Sequence, residues 1–369
     1  MFLAWFVIFS SCSKTPQKKV DDKTGKTINE KPQAETKSVD EDTVYSVIGV
    51  GDIMMGTNYP STASLPPDDG KYLFEDVAEL LSSGDVTFGN LEGTLLNSGG
   101  TPKRPKDPED GSHSIAFRMP ERYAEYLKLA GFDMMGIANN HSGDMGDEGR
   151  TSTKNTLEKY GLKYAGYTTC PTAIFIKDGI KFGLIAFAPN NGTVPLNDNE
   201  NAAKLVTELK KKVDILIVSF HGGAEGTGSQ HVTGRREIFL GEDRGNVLDF
   251  AHNVVDAGAD IVFGQGPHVT RAMELYKDRL IAYSLGNFCT YGKFGLSGAL
   301  GVAPILKVYV DKQGRFLQGR IFPVKQIKHG IPLFDDDYKV VNIVRELTSK
   351  DFPGTPLNID NEGKITIGR

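Results

Sequence analysis

An α/β fold is predicted by three features of this 369-residue chain. From Val44 onward, apolar runs of four to eight residues alternate with amphipathic stretches. Several of those runs end in Asp, Glu, Asn or His beside glycine, as expected where strand ends carry a ligand site. Glycine is abundant, at 42 against 18 prolines, which suits tight turns around loop-built sites rather than long helices.

The elements follow from local pattern. Tyr45–Val50 (YSVIGV) reads as a strand, Phe74–Ser83 as a helix and Val86–Gly89 as a strand. Glu121–Ala130 reads as a helix, Met134–Ala138 as a strand and Asp147–Tyr160 as a helix. Ile174–Lys177 and Lys181–Ala188 flank Asp178-Gly179, a strong hairpin signal. Asn199–Lys212 is helical, Ile215–Phe220 a buried strand, Gly245–Ala257 a helix and Ile261–Phe263 a strand. A late block of period two, with turns at Lys277-Asp278 and Gln313-Gly314, suggests mixed or antiparallel pairing.

Composition narrows the function. Forty-two basic against 47 acidic residues give a net charge of −5, so the basic excess of a nucleic-acid binder is absent. Cys12, Cys170 and Cys289 are too few for a disulfide-stapled scaffold. No Gly-x-Ser-x-Gly elbow occurs, and Gly49-Val50-Gly51 lacks the third glycine of a dinucleotide fingerprint. Lys210-Lys211-Lys212 ends an expected helix, where cations complement the dipole.

The amino-terminal text reads differently. Met1–Phe9 (MFLAWFVIF) is too short to span a bilayer, where ~20 residues are needed. Followed by Ser10-Ser11-Cys12, it resembles a lipoprotein signal over residues 1–12, with Cys12 lipidated. Residues 13–43 are polar and Lys/Glu/Thr-rich, a linker that cannot bury enough surface to offset its ordering entropy. The layout is that of an exported protein, lipid-anchored at the cell envelope. Export would permit a Cys170–Cys289 disulfide. The folded body is expected over residues 44–335, with a helix and tail over 336–369.

What stands at the strand ends carries the chemistry. Tyr45–Val50 delivers Asp52, Val86–Gly89 delivers Asn90 and Glu92, and Met134–Ala138 delivers Asn139-Asn140-His141. Ile215–Phe220 delivers His221 with Glu225 behind it, and Ile261–Gly264 delivers Gln265 and His268. These five ends are expected to converge on one edge of the sheet. Imidazole, carboxylate and amide donors without thiolates suit Mn, Fe, Zn or Mg. A carboxylate between two cations would hold them roughly 3.5–4 Å apart.

The segments GDIMMG, GNLEG, ANNH, SFHGGAE, GQGPHV and YSLGNF, in this order, resemble the bacterial capsule-synthesis family of CapA type. That family is associated with poly-γ-glutamate capsule and is related to calcineurin-like metallophosphoesterases. The resemblance implies a metallophosphatase-like αββα sandwich of two mixed sheets flanked by helices. It makes Asp52, Glu92, Asn140, His221 and His268 metal ligands for one or two divalent ions, and His141 the catalytic proton donor. Where phosphoesterases carry Asp-x-His, this chain has Asp52-Ile53-Met54, and Gln265 stands where many relatives have histidine. Asn90, Asp144, Glu225, Gln265, Arg271 and Asn287 are expected to support the ligands or meet substrate, Arg271 as a clamp on an anion.

The expected function is capsule or poly-γ-glutamate biosynthesis by a metal-dependent hydrolase or transferase handling an anionic polymer, either poly-γ-glutamate or an exopolysaccharide. The alternative is a non-catalytic polymer-binding accessory to a membrane synthase or export complex.

Overall fold

Val47 and Ile48 are adjacent, yet they belong to different apolar layers, and that alternation organises the molecule. The computed structural model describes residues 44–103 and 115–368. The larger of its two main sheets has ten strands. Its paired order runs Leu357–Ile359, Lys364–Ile367, Phe316–Ile327, Val302–Val310, Tyr45–Met54, Val86–Leu91, Met134–Gly136 and Lys163–Ala165. Asn287–Thr290 and Ile331–Phe334 pair beside that path. The second sheet has six strands, with Ile180–Phe187, Ile215–His221 and Ile261–Gln265 parallel at its centre.

Side-chain period two divides each central strand between two layers. Val47, Val86, Phe88 and Met134 of the first sheet cluster with Leu184, Ile215, Ile217 and Phe263 of the second, which fills the space between the sheets. Phe88 and Phe263 stack across it with ring centroids 5.7 Å apart. Ile48, Val50 and Ile53 face the other way, against Leu81, Tyr123, Leu127 and Leu157 from the helices of the outer layer. Leu216, Val218 and Phe220 likewise meet Val206, Leu209, Phe250 and Val254 of helices Asn199–Lys210 and Val247–Asp256. Each fully buried side chain of this kind contributes about 1.5–3 kcal/mol, and these clusters hold dozens. The αββα layering expected for the fold is therefore present.

Local chemistry explains the boundaries. Asp178 and Gly179, at φ of 51° and 83°, turn Thr172–Lys177 into Ile180–Phe187 as an antiparallel hairpin. Asp198 caps the Asn199–Lys210 helix by accepting from the Asn201 backbone N–H at 3.0 Å. One expectation changes. The helix expected over Phe74–Ser83 is regular only over Ala78–Leu81, because Val77 sits at its N-cap and offers no capping group. The C-terminal helix (Lys339–Asp351) is followed by two strands, Leu357–Ile359 and Lys364–Ile367, that pair with each other, and Lys364 and Ile365 pair with Arg320 and Gly319 of the large sheet. Cys170 and Cys289 are free thiols. Cys12 and the rest of residues 1–43 lie outside the described residues.

Candidate metal centre

The five polar strand ends do converge, but on a seam between sheets. Asp52, Glu92 and the Asn139-Asn140-His141 loop come from the ten-stranded sheet, whereas His221, Gln265 and His268 come from the six-stranded one. The expectation of a single sheet edge is corrected in this way. Strand register explains much of the assembly. Asp52 pairs laterally with Asn90 on one side and Asn287 on the other. The backbone N–H of Glu92 donates to Ile53 O at 2.9 Å, which brings its carboxylate beside Asp52. Two glycines permit the approach. A Cβ at Gly51 would lie 1.9 Å from Gly286 O, and one at Gly266, where φ is +112°, would lie 2.7 Å from Gly222 O.

At the centre is Glu92, fully buried, with neither carboxylate oxygen hydrogen-bonded. Three imidazoles turn their Nε2 atoms toward its Oε1: His268 at 3.6 Å, His221 at 3.9 Å and His141 at 3.9 Å. Those separations are too long for hydrogen bonds. They approach the roughly 3.3 Å between neighbouring ligands of a small tetrahedral ion with bonds near 2.0–2.1 Å. Ligand atoms of Asp52, Glu92 and His268 also lie within 4.8 Å of one another, so this buried group could hold a metal ion. The orphaned Glu92 oxygens and His221 Nε2 are the groups that a cation would satisfy, and the oxygen–nitrogen donor set suits a divalent one.

The surrounding groups fix these donors. Asp52 Oδ1 accepts from Asn90 Nδ2 at 2.8 Å, and its Oδ2 lies 3.0 Å from His268 Nδ1. Asn287 Oδ1 lies 3.1 Å from the same nitrogen, so two acceptors assign a proton to Nδ1 and leave Nε2 facing Glu92. Asn90 Nδ2 is also 3.2 Å from His221 Nδ1. His141 Nδ1 contacts Asp144 Oδ2 at 2.7 Å, and that oxygen also accepts from the Phe117 backbone N–H.

Burial and mutual charge then set protonation. Burial pushes the Glu92 carboxyl up to about 7, with Asp52 adding to the rise and His268 opposing it. For His268, burial opposes protonation, but Glu92 and Asp52 outweigh it and raise the imidazolium to about 10. Burial, helped by the Arg244 charge, drives His221 well below its ordinary value, so it is neutral and able to bind a cation. Burial also opposes protonation of His141, but Asp144 raises it above the ordinary histidine value.

The remaining expected residues are placed as follows. Asn140 carries a buried Oδ1 with no partner and adjoins His141. Glu225 Oε2 lies 3.8 Å from His268 Nε2, and its Oε1 lies 3.2 Å from Arg244. Gln265 is fully buried; with its amide nitrogen as donor it meets Ser219 Oγ and Phe220 O, each at 2.9 Å, so it ties strands together. Arg271 does not serve as an open anion clamp. It is fully buried, with Glu237 at 2.7 and 2.9 Å and Ala224 O at 3.3 Å, and holds the loop behind His221.

Other contributors had been given no role of their own. Asn139 donates to Leu91 O at 2.8 Å and accepts from the His141 backbone N–H at 3.1 Å, shaping the loop. Arg244 is buried between Glu225 and Glu242. Phe117 packs 4.2 Å from the His141 ring, and Phe294 lies 5.1 Å from His268 and 5.4 Å from Phe117. The Asn139-Asn140 doublet was a usable signal for Asn139; nothing in the sequence around Arg244 or Phe294 marked them.

Fold and site together define a two-sheet α/β protein with a buried carboxylate–imidazole centre suited to a divalent cation. Residues 46–291 match the bacterial capsule synthesis protein family PGA_cap, and the chain belongs to that family. It is 28% identical over 258 residues to the capsule biosynthesis protein CapA of Bacillus anthracis, covering 65% of this chain and 58% of that protein. It is 29% identical over 276 residues to the PGA biosynthesis protein CapA of Bacillus subtilis strain 168, covering 70% and 66%. The chain thus spans somewhat under two thirds of the length of these relatives. A solved putative 5'-nucleotidase from Staphylococcus aureus is 15% identical, with a TM-score of 0.42 and coverage of 79% of this chain and 53% of that one.

Proposed function

We propose that this protein acts in capsule or poly-γ-glutamate production at the cell envelope, as a metal-dependent hydrolase or transferase on an anionic exopolymer. The supporting observation is the buried, unpartnered Glu92 carboxylate facing three imidazole Nε2 atoms at 3.6–3.9 Å. Glu92, His221, His268 and Asn140 would hold the ion, with Asp52 orienting His268 and close enough to join them. A divalent cation there would polarise an acyl or phosphoryl oxygen and acidify water. His141, fixed at Nδ1 by Asp144, presents Nε2 to the centre and exchanges a proton with the reacting group. Its side chain retains 15% exposure, so this proton has a route to solvent. In this reading Cys12 tethers the chain to the membrane, near a capsule synthase or export complex.

A second reading, polymer binding without turnover, is favoured by buried Met54, which occupies the position of the second residue in the phosphoesterase Asp-x-His pair. The full chain, incubated with Mn, Fe or Zn, is tested on γ-glutamyl oligomers and phosphoester substrates. Turnover that disappears with chelator and in His221→Ala supports the enzyme. Polymer binding without turnover, indifferent to chelator, replaces it with the accessory role.

A further inference from the structure

The candidate metal centre is closed. Asp52 and Glu92 are fully buried, His221 is 1% exposed and His268 8%, so a ligand reaches Glu92 only when part of the cover moves. Among the described residues, two aromatic rings lie over the histidines. Phe117 and Phe294 stack with centroids 5.4 Å apart, Phe117 at 4.2 Å from His141 and Phe294 edge-on to His268 at 5.1 Å. One of the two is fixed. The Phe117 backbone N–H donates to Asp144 Oδ2 at 2.7 Å, and its carbonyl accepts from the Thr94 N–H and hydroxyl at 3.1 and 2.8 Å.

Phe294 is held differently. It stands in the connection 291–301, between strands Asn287–Thr290 and Val302–Val310. The ends of that connection are tied down. Tyr291 N–H donates to Met54 O and Gly292 N–H to His329 O, each at 2.7 Å, while Leu300 O accepts from Asn287 Nδ2 at 3.2 Å. Between these ties, Lys293–Leu296 make no hydrogen bond among the described residues. Lys293, Gly295, Ser297 and Gly298 are exposed, and Phe294 is half-buried, so its ring contacts are what hold the segment down. A segment so poor in hydrogen bonds and buried surface opens at low free-energy cost.

The segment also has hinges and room. Gly292 and Gly298 flank it at φ of 83° and 60°, conformations that favour glycine, and such residues absorb the backbone change of a closing loop. Its later residues Leu296, Gly298 and Ala299 border a cavity of about 580 Å³, which Ile343 of the C-terminal helix also lines. The loop can withdraw into that space without displacing a strand.

We propose that Lys293–Ala299 is a lid on the metal centre with Phe294 as its latch: closed, it excludes water, and withdrawal of the Phe294 ring opens the route to Glu92 and His221. The inference rests on the proposed function in taking this centre as the place where substrate binds.

The test is covalent labelling of the metal-free full chain in chelator, followed by peptide mass spectrometry. Diethyl pyrocarbonate acylates neutral imidazole, and His221, neutral and with an unpartnered Nε2, is the reporter. Alkylation of Cys289 by iodoacetamide, run in parallel, reports opening of the sheet instead, since that thiol is fully buried in the strand before the lid. Phe294→Ala is expected to label His221 about tenfold faster or more, with Cys289 unchanged. Gly295→Ala is the second variant. A Cβ there meets nothing within 4 Å, so the closed pose is kept while the loop loses freedom, and labelling of His221 is expected to slow about two- to fivefold. Equal His221 rates in wild type and Phe294→Ala overturn the lid, as does acceleration shared with Cys289. If Phe294→Ala does not fold, unslowed labelling in Gly295→Ala overturns it. No metal takes part, so a chain that binds no ion but shows this gating of His221 would sink the metal centre and leave the lid standing.

Discussion

His268 Nδ1 lies 3.0 Å from Asp52 Oδ2, joining two sheets through residues 216 positions apart. The contact makes His268 a directed donor: with Nδ1 protonated between Asp52 and Asn287, Nε2 is committed to the Glu92 side. His268 holds this pose at φ of +59°, a strained conformation for a residue with a Cβ.

Asn287→Ala removes one of the two acceptors at that nitrogen while leaving every proposed ligand in place. Metal affinity is expected to fall about 10- to 100-fold, as when supporting partners of ligand histidines are lost. Competition against a chromogenic chelator measures it, and an unchanged affinity would show that Asn287 has no part in orienting His268.

Metal binding should release protons. In the metal-free protein His268, raised to about 10, is protonated at pH 7.5, and a cation at Nε2 must displace that proton. Calorimetry in buffers of different ionisation enthalpy is expected to show about one proton released per ion at this pH. Stability of the metal-free protein follows the same groups. Glu92 is raised from 4.5 to about 7 and His268 from 6.5 to about 10, so the folded state binds both protons more tightly than the unfolded chain. Their stabilisation is complete below the unfolded values and is lost as pH rises, between about 4.5 and 7 for Glu92 and between about 6.5 and 10 for His268. His221, pushed well below its ordinary 6.5, acts in the opposite sense below that pH and offsets Glu92 there. Melting in chelator should therefore show falling stability from about pH 6.5 to 9, and a rising trend in that window would contradict these assignments.

Arg271→Gln separates support from substrate contact. It leaves Glu237 without its ionic partner in a nearly closed environment, and is expected to destabilise by about 3 kcal/mol in urea unfolding. Metal content should hold. Undiminished stability combined with weakened polymer binding would restore the clamp.

Gly51→Ala tests the seam itself. Its Cβ would fall 1.9 Å from Gly286 O, in the loop before Asn287, so two strands must separate. A loss of about 3 kcal/mol is expected, and a melting temperature equal to wild type would mean that the seam yields freely.

Most of the fold and the ends of its strands were legible in the sequence, for a physical reason. Strands such as Ile215–His221 are buried on both faces, so they read as unbroken apolar runs and the first polar residue marks the sheet's rim. His221 and Asp52 were found that way. Which sheet each run joins was not legible, because Val47 and Ile217 meet only after long-range pairing. Arg271 misled because an arginine near a site looks alike whether it faces substrate or, as here, a partly buried Glu237 that lies 34 residues away in sequence. Arg244 and Phe294 were missed because their importance comes entirely from tertiary neighbours.

The most direct measurement is elemental analysis of the full chain after reconstitution with Mn, Fe or Zn, comparing wild type with Glu92→Gln and His221→Ala. A divalent ion that stays with wild type through gel filtration and leaves both variants, each with a cooperative melt in chelator, is the expected outcome. Wild type that retains no ion from any of the three metals, or variants that retain it equally, would contradict a metal centre built on Glu92 and its three histidines.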